Sequence, residues 1–147
     1  MTGRRETATM DWPEMSTHAT GTAHLATATS SGRPHVSQVA TWLEDAMVWF
    51  CTGRNSRKAR NLVDNPFAAL MWTPSVELYV QGAAELVDDV DTKRRVWNTA
   101  TMGYDPQGFF GEPDDPASVL VRVTPERAVL YVGDSSGTVT PHRWRAK

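Results

Sequence analysis

Short stretches rich in threonine, valine and aromatic residues recur along most of the chain, separated by turn-forming residues. The stretches with the composition of β-strands are HLATAT, PHVSQVATWL, MVWFCT, FAALMW, VELYVQGAAELV, SVLVRV and ERAVLYV. Gly32 is expected to form a turn between the first two strands, and Thr124-Pro125 is expected to separate the last two. Consecutive short strands of this kind predict a mainly β fold (α+β) with antiparallel neighbours, of the barrel or sandwich class.

A first helix is predicted between the third and fourth of these strands. Ser56 is of a residue type that caps helices, and the RKARNLVDN that follows it provides about two turns. Pro66 is expected to end the helix, because proline cannot continue the hydrogen-bonded ladder. The apolar residues expected to face inward are Ala59, Leu62 and Val63.

A second helix is predicted over residues 88–102, which are acidic at the start and basic later, as the helix dipole favours. The following GYDPQGFFGEPDDP is predicted to be a loop because of its glycine and proline content. Its pair Phe109 and Phe110 is expected to plug the core rather than to cover a ligand. The tail GDSSGTVTPHRWRAK is predicted to be too polar for a core element.

Length and composition predict one domain at residues 21–147, preceded by a flexible or helical segment at 1–20. Within that segment the start is expected to be disordered, and Asp11-Trp12-Pro13 is expected to open a short helix. A hydrophobic content of 40% and a charged content of 22% are ordinary for a soluble globular protein.

Charge and cysteine content limit the classes of partner and compartment. The pI near 6.1 argues against a general nucleic-acid-binding protein, and no apolar run approaches the length of about 18 residues that spans a membrane. The single cysteine, Cys51, permits no intrachain disulfide, and the first residues lack the apolar stretch of a signal peptide. The four histidines show no metal-binding spacing with Cys51. We therefore expect a cytoplasmic protein without a metal, nucleic-acid or membrane partner.

A cluster of four cations lies in the stretch FCTGRNSRKARNLVDNP. These are Arg54, Arg57, Lys58 and Arg60, in a chain of formal net charge -2. Two interpretations are open at this point. The cations form a solvated helix face, or Arg57 and Lys58 join the free N–H groups and the Ser56 hydroxyl at the helix N-terminus to bind a phosphate. The hydroxyl of Thr52, at the end of the preceding strand, would lie beside such a site.

The stretch FCTGRNSRKARNLVDNPFAALMW resembles the flavin-binding segment of the pyridoxamine 5'-phosphate oxidase family, the FMN-binding split β-barrels. The order of an aromatic strand ending in threonine, Ser-Arg-Lys, a short helix, Asn-Pro and an apolar strand is the same. HLATATSSGRPHVSQVATWL resembles the first hairpin of that family, and RRVWNT, GEPDDP and VLVRVTPERAVLY resemble its general stress protein branch. The resemblance implies a six-stranded antiparallel split β-barrel with short helices.

The resemblance also implies a set of site residues. Arg57 and Lys58 would hold the FMN phosphate, with Ser56 and Thr52 as neutral donors. The strand residues Val36, Ser37, Gln38 and Val39 would run beside the isoalloxazine ring, Cys51 stands where the family often has tyrosine, and the tail residue Trp144 would lie near the cofactor, wrapped onto a partner chain. No general acid, base or nucleophile is assigned.

The function implied is an FMN-binding oxidoreductase that passes a hydride or electrons between the flavin and a small substrate. The alternatives are a reductase that uses a deazaflavin coenzyme, and a flavin- or haem-binding stress protein without turnover. The resemblance further implies a homodimer with the cofactor at the interface between the two chains.

Overall fold

The structure, a computed structural model, describes residues 8–147, so the predicted disorder at the start of the chain lies mostly outside the described residues. The strands are β1 (Ala8–Thr9), β2 (Gly21–Ala28), β3 (Pro34–Glu44), β4 (Met47–Gly53), β5 (Phe67–Trp72), β6 (Glu77–Val87), β7 (Ser118–Gly133) and β8 (Val139–Arg145). The helices are α1 (Trp12–Ser16), α2 (Arg57–Asp64), α3 (Val90–Val96), α4 (Thr99–Met102) and α5 (Pro106–Phe110).

Six of the strands close into an antiparallel barrel. The strand order is β7-β4-β3-β2-β5-β6, and β6 pairs with β7 again to close the ring. Two further strands extend the sheet outside the barrel, with β8 antiparallel to β7 and β1 parallel to β8. The mainly β, six-stranded barrel with short helices is therefore confirmed, and α1 begins at Trp12 directly after Asp11, as predicted.

Strand β7 is one continuous strand of 16 residues, whereas the sequence predicted two. One of its edges pairs first with β4 and then with β8, while the other edge pairs with β6 along most of its length. The register with β6 shifts between Gln81 and Gly82, opposite the Thr124-Pro125 interruption, so that a bulge absorbs the proline. A side chain at Gly82 would place its Cβ only 2.2 Å from the Thr124 carbonyl oxygen, which explains the glycine.

The barrel interior is mainly apolar, and two of its polar side chains are joined by hydrogen bonds. Trp72 Nε1 donates to Thr41 Oγ1 at 3.2 Å, and the same hydroxyl donates to the Gly21 carbonyl oxygen at 2.8 Å. The core residues on the barrel strands include Leu25, Val48, Phe50, Leu70, Leu78, Val80, Val121 and Val123. Helix α2 is fixed to the barrel by Asn61, whose side-chain amide donates to the Thr27 hydroxyl at 3.1 Å.

The two sides of α2 differ from the prediction at one position. Ala59 and Leu62 are buried as expected, but Val63 is 67% exposed, so its predicted inward orientation is wrong. Asn61 takes the inward place instead, because its amide finds the buried Thr27 hydroxyl. The helix ends before Pro66, as predicted.

The predicted helix over 88–102 is two short helices. Asn98 interrupts it, because its side chain accepts a hydrogen bond from Thr101 N at 2.8 Å and thereby starts α4. The predicted loop contains α5, which begins with an Asp105 cap and Pro106 in its first turn. The tail, which the sequence predicted to be too polar for a core element, forms β8, a mostly unburied strand that pairs with β7 outside the barrel and that the sequence did not predict.

None of the helices in residues 8–147 exceeds eight residues, so none has the length to cross a membrane.

Candidate functional site

A groove of about 960 Å³ lies against the outer face of β3 and β4. The start of α2 borders it on one side, and the segment from α4 to α5 borders it on the other. Side chains alternate across a strand, so the residues of β3 and β4 that do not enter the barrel core are available to its floor. These are Gln38, Ala40 and Trp42 on β3 and Cys51 on β4, since Val39, Val48 and Phe50 belong to the core.

One end of the groove is polar, and we call it the polar end: Thr52, Ser56 and Lys58. Ser56 caps α2 with an extended backbone, and its hydroxyl accepts from Ala59 N at 3.2 Å. The hydroxyls of Ser56 and Thr52 lie 3.1 Å apart. The backbone N–H groups of Arg57 and Lys58 belong to the first turn, where a helix offers them no internal acceptor. The polar end therefore presents hydroxyl, amide and ammonium donors together.

The four cations of the cluster have different surroundings. Lys58 is half-buried and lines the groove, whereas Arg57 and Arg60 are exposed and lie outside its lining. Arg54 is held away from it by an ion pair with Asp88 and by a hydrogen bond of 2.6 Å to the Pro116 carbonyl oxygen. Arg54 thus fixes the loop before α2 to the region before β7.

The other end of the groove is aromatic and continues into a second apolar cluster outside the barrel. Trp42 and Trp49 face each other across β3 and β4 with ring centroids 6.3 Å apart. The other members of the cluster are Cys51, Val96, Met102 and Leu120, with Met47, Val87, Trp97, Tyr104 and Phe110 packed against them. Trp97 Nε1 donates to the Gly111 carbonyl oxygen at 2.9 Å and so holds the end of α5 over this cluster.

Two titratable groups at the aromatic end stay protonated at neutral pH. Burial raises the pKa of the Cys51 thiol from its usual 9.0 to about 12, although the charge of Lys93 acts in the opposite direction. Burial also raises the pKa of the Tyr104 hydroxyl, and the nearby Cys51 adds to that effect. Cys51 is therefore a buried small side chain, because a thiol that keeps its proton is a poor nucleophile.

Lys93 is a buried cation that the sequence did not point to. It is only 2% exposed, and its ammonium group donates to the carbonyl oxygens of Asp115 at 3.0 Å and Ser118 at 2.9 Å. It also lies 5.7 Å from the Trp97 ring centre. These contacts tie α3 to the start of β7 behind the groove.

The structure gathers most of the predicted site residues around the groove. Those that line it are Gln38, Val39, Cys51, Thr52, Ser56 and Lys58. Val36, Ser37 and Arg57 lie near this region but outside the lining, with Val36 66% exposed. Trp144 packs on Trp12 with ring centroids 5.5 Å apart and does not line the groove of its own chain. Its reach to a partner's cofactor stays a prediction.

The side of the groove formed by the segment from α4 to α5 was not predicted from the sequence. Tyr104, Phe109 and Phe110 line it, and Phe109 is 75% exposed, so the predicted core plug is wrong for this residue. Of the pair Phe109 and Phe110, only Phe110 packs on the second cluster. An available signal was Asp105-Pro106 followed by Gly111, which is a cap, a first-turn proline and a C-terminal glycine in helical spacing.

The described part of the chain contains no group of three or more histidine, cysteine, aspartate or glutamate side chains that could hold a metal ion.

Several solved structures share this fold. General Stress Protein 26 from Bacillus anthracis aligns with a TM-score of 0.71 at 21% identity, covering 92% of this chain and 98% of that one. An FMN binding protein from Nostoc punctiforme, described as pyridoxamine 5'-phosphate oxidase-related, aligns with a TM-score of 0.58 at 16% identity, covering 95% of this chain and 100% of that one. A heme binding protein from Mycobacterium smegmatis aligns with a TM-score of 0.70 at 17% identity, covering 92% of this chain and 58% of that one.

At these identities the structural likeness establishes the fold alone. No curated protein matches the sequence. The sequence pattern of the family described as pyridoxamine 5'-phosphate oxidase, however, matches residues 16–131, well over half of the chain. The resemblance drawn from the Ser-Arg-Lys to Asn-Pro segment is thereby confirmed, and the chain belongs to the pyridoxamine 5'-phosphate oxidase family.

Proposed function

We propose that the groove binds FMN, with the phosphate at the polar end and the ring along the outer face of β3 and β4. The observation that carries the proposal is the polar end itself. Two hydroxyls, the free N–H groups of the first turn of α2 and the Lys58 ammonium converge at one end of a groove of about 960 Å³. This volume lies at the upper end of the range of about 300–1,000 Å³ for small-molecule sites.

The donor set fits a phosphate monoester. Helix N-termini attract anions through their unpaired N–H groups, and lysine adds a point charge that phosphates accept. Arg57 lies at the same turn and adds a second charge from the solvent side. The Ser56–Thr52 hydroxyl pair supplies neutral donors at a fixed separation of 3.1 Å.

The remainder of the groove fits a flat ring with acceptor atoms. Its floor consists of Gln38, Ala40, Trp42 and Cys51 and leaves a broad surface between β3 and α4. The buried Trp42 Nε1 has no hydrogen-bond partner within residues 8–147, although buried polar groups are generally paired. A ligand carbonyl or ring nitrogen is a suitable acceptor for such a donor.

We further propose that the protein is an oxidoreductase. Bound FMN supplies hydride and single-electron transfer, so the protein itself has to bind, orient and shield the ring. The groove residues of this chain are suited to that task, since Cys51 and Tyr104 keep their protons and Lys58 is the charged side chain among the described lining residues.

Haem fits the groove less well. Haem iron in proteins is held by histidine, cysteine thiolate, methionine or tyrosine ligands. None of the histidines between residues 8 and 147 lines the groove, and the Cys51 thiol, with a pKa of about 12, is not a thiolate at neutral pH. Of the other two ligand types in the lining, Tyr104 keeps its proton because burial raises its pKa, and Met102 is only 2% exposed and belongs to the second apolar cluster. The haem-binding relative therefore does not supply a parallel for this site.

A homodimer with the cofactor between two chains is part of the proposal. Its support is an apolar outer face beside the groove, where Val36 pairs with Ala26 and Ala26 pairs with Ala69 across β3, β2 and β5. Val36 and Phe67, on β3 and β5, are each at least 60% exposed. Exposed apolar area of this kind usually meets a partner. We also propose a cytoplasmic location, in keeping with the free thiol of Cys51.

The test is the absorbance spectrum of the purified protein, followed by titration of the apoprotein with FMN and riboflavin. An absorbance band at about 450 nm indicates flavin and supports the proposal, one at about 420 nm indicates deazaflavin, and one at about 400 nm indicates haem. Strong preference for FMN over riboflavin is expected, because only FMN carries the phosphate. Light scattering that gives a monomer mass for the FMN-loaded protein would exclude the homodimer.

A further inference from the structure

The aromatic side of the groove has no task in binding a phosphate. Tyr104, Phe109 and Phe110, which we call the aromatic wall, stand along the α4–α5 edge. Tyr104 and Phe109 meet edge to face with ring centroids 5.4 Å apart, and Phe110 lies 6.4 Å from Tyr104. Trp97 connects the wall to the second apolar cluster, because the ring centroids of Trp97 and Phe110 lie 6.4 Å apart.

Phe109 is the most exposed large apolar side chain of the described residues, at 75%, yet its backbone is well held. Asp105 caps α5 by accepting from Gln107 N at 3.0 Å, and the Gly111 N–H closes the helix on the Gln107 carbonyl oxygen at 3.0 Å. The exposed ring is therefore placed at the rim by ordered secondary structure. An exposed aromatic ring that borders a groove gains by meeting a flat apolar ligand.

The charge of the lining limits what that ligand can be. Within residues 8–147, Lys58 alone among the groove-lining side chains carries a charge, and it lies at the polar end. Lys58 and the N-terminus of α2, with Arg57 on its solvent side, match one phosphate. A second ligand that carried its own phosphate would enter the aromatic end without a cation from this chain.

We propose that the aromatic wall binds a second ligand, an uncharged flat aromatic compound, as the substrate of the bound cofactor. This inference rests on the proposed function, which assigns the polar end to FMN. It names a substrate class that differs from a phosphorylated pyridine, the compound class in the name of the family. Phe109 is then a specificity-determining residue, which contacts the substrate and leaves the cofactor phosphate untouched.

The experiment is calorimetric titration of the FMN-loaded protein with 2-naphthol, an uncharged flat probe, and with naphthalene-2-sulfonate, the same ring bearing an anion. Pyridoxal 5'-phosphate is the third probe. We expect 2-naphthol to bind most tightly. The variant Phe109→Ala should bind 2-naphthol roughly three- to tenfold more weakly, the range expected for loss of one aromatic contact, while its FMN affinity stays within about twofold of wild type.

The control is Val132→Ala, which shortens an exposed apolar side chain, 42% exposed, on the part of β7 that pairs with β8, away from both the groove and the proposed dimer face. It should leave 2-naphthol binding unchanged. The inference is overturned if Phe109→Ala binds 2-naphthol like wild type, if it loses FMN instead, if it changes the oligomeric mass, or if the anionic probes bind as tightly as the neutral one.

Failure of the proposed function gives a different result. If the apoprotein does not bind FMN, the cofactor assignment fails on that titration alone. The 2-naphthol titration of the purified protein and of Phe109→Ala then decides whether the aromatic wall is a binding site: a Phe109-dependent affinity upholds the wall, and equal affinities overturn it.

Discussion

Replacing Lys58 by methionine removes one charge from the polar end and keeps most of the side-chain volume. Lys58 is half-buried, and the alkyl stem of methionine can take over its packing against the groove. The helix cap at Ser56 is unaffected, because its hydroxyl bonds Ala59 N rather than Lys58. We therefore expect a folded variant whose only large change is in phosphate binding.

The magnitude follows from the exposure of the ammonium group. A hydrogen bond to a charged group contributes about 1.5–3 kcal/mol, and partial solvent exposure lowers this toward about 1–2 kcal/mol. At about 1.4 kcal/mol per factor of ten, FMN affinity should fall roughly five- to thirtyfold. Riboflavin affinity should stay within about twofold, because riboflavin has no phosphate. Arg57→Met should show a smaller loss, since Arg57 is outside the groove lining.

The assay is flavin fluorescence titration of each apoprotein with FMN and with riboflavin at low and high salt. The ratio of the two affinities is the measured quantity, and in wild type it should fall as salt screens the ammonium–phosphate pair. Arg60→Met is the matched control, because Arg60 belongs to the same helix but faces solvent. If Lys58→Met keeps the wild-type ratio, the cation cluster is a solvated helix face, and the phosphate assignment is wrong.

Three further predictions concern the thiol, the bulge and the tail. Cys51 should react slowly with iodoacetamide at pH 8, as followed by mass spectrometry, and rapid labelling would contradict this. The free energy of unfolding should decline between about pH 9 and 12 more in wild type than in Cys51→Ala. The reason is that the folded state, with its raised thiol pKa, holds the proton more tightly than the unfolded chain. Gly82→Ala should lower the urea-unfolding free energy by more than about 2 kcal/mol, because its Cβ would collide with the Thr124 carbonyl, whereas Gly133→Ala, with open space around it, should change little. Deleting residues 138–147 should lower the melting temperature markedly, because it removes β8 from β7; an unchanged melting temperature would show that the tail is ordinary surface.

The polar end could be predicted from the sequence because its parts are contiguous. Thr52, Ser56 and Lys58 lie within seven residues, and a cap followed by a helix brings them together through local geometry alone. The strands were predictable for a similar reason, since their composition is a local property. The helical register was less secure, because the choice between Asn61 and Val63 as the inward residue depends on a hydroxyl on β2.

The position of the aromatic wall beside the groove could not be predicted, because it depends on barrel closure. Tyr104 and Cys51 are distant in sequence, and they meet only after β4 pairs with β7 and α3–α5 fold back over that pair. Strand β8 was missed because its sequence is polar, and its order comes from an available edge rather than from its own composition. Lys93 looked like a surface residue, since only the fold reveals the two carbonyl oxygens that receive its ammonium group.

The shared strand β7 has a consequence for synthesis on the ribosome. Strands β2 to β6 emerge first, and they can pair into an open sheet in which β4 and β6 are the two edges. Both edges stay unpaired until residues 118–131 of β7 are synthesised, because that one segment pairs with β4 and with β6. Unpaired edges recruit strands from other chains, so a nascent chain that stalls before Ser118 should aggregate, whereas one released after Gly133 has both edges covered.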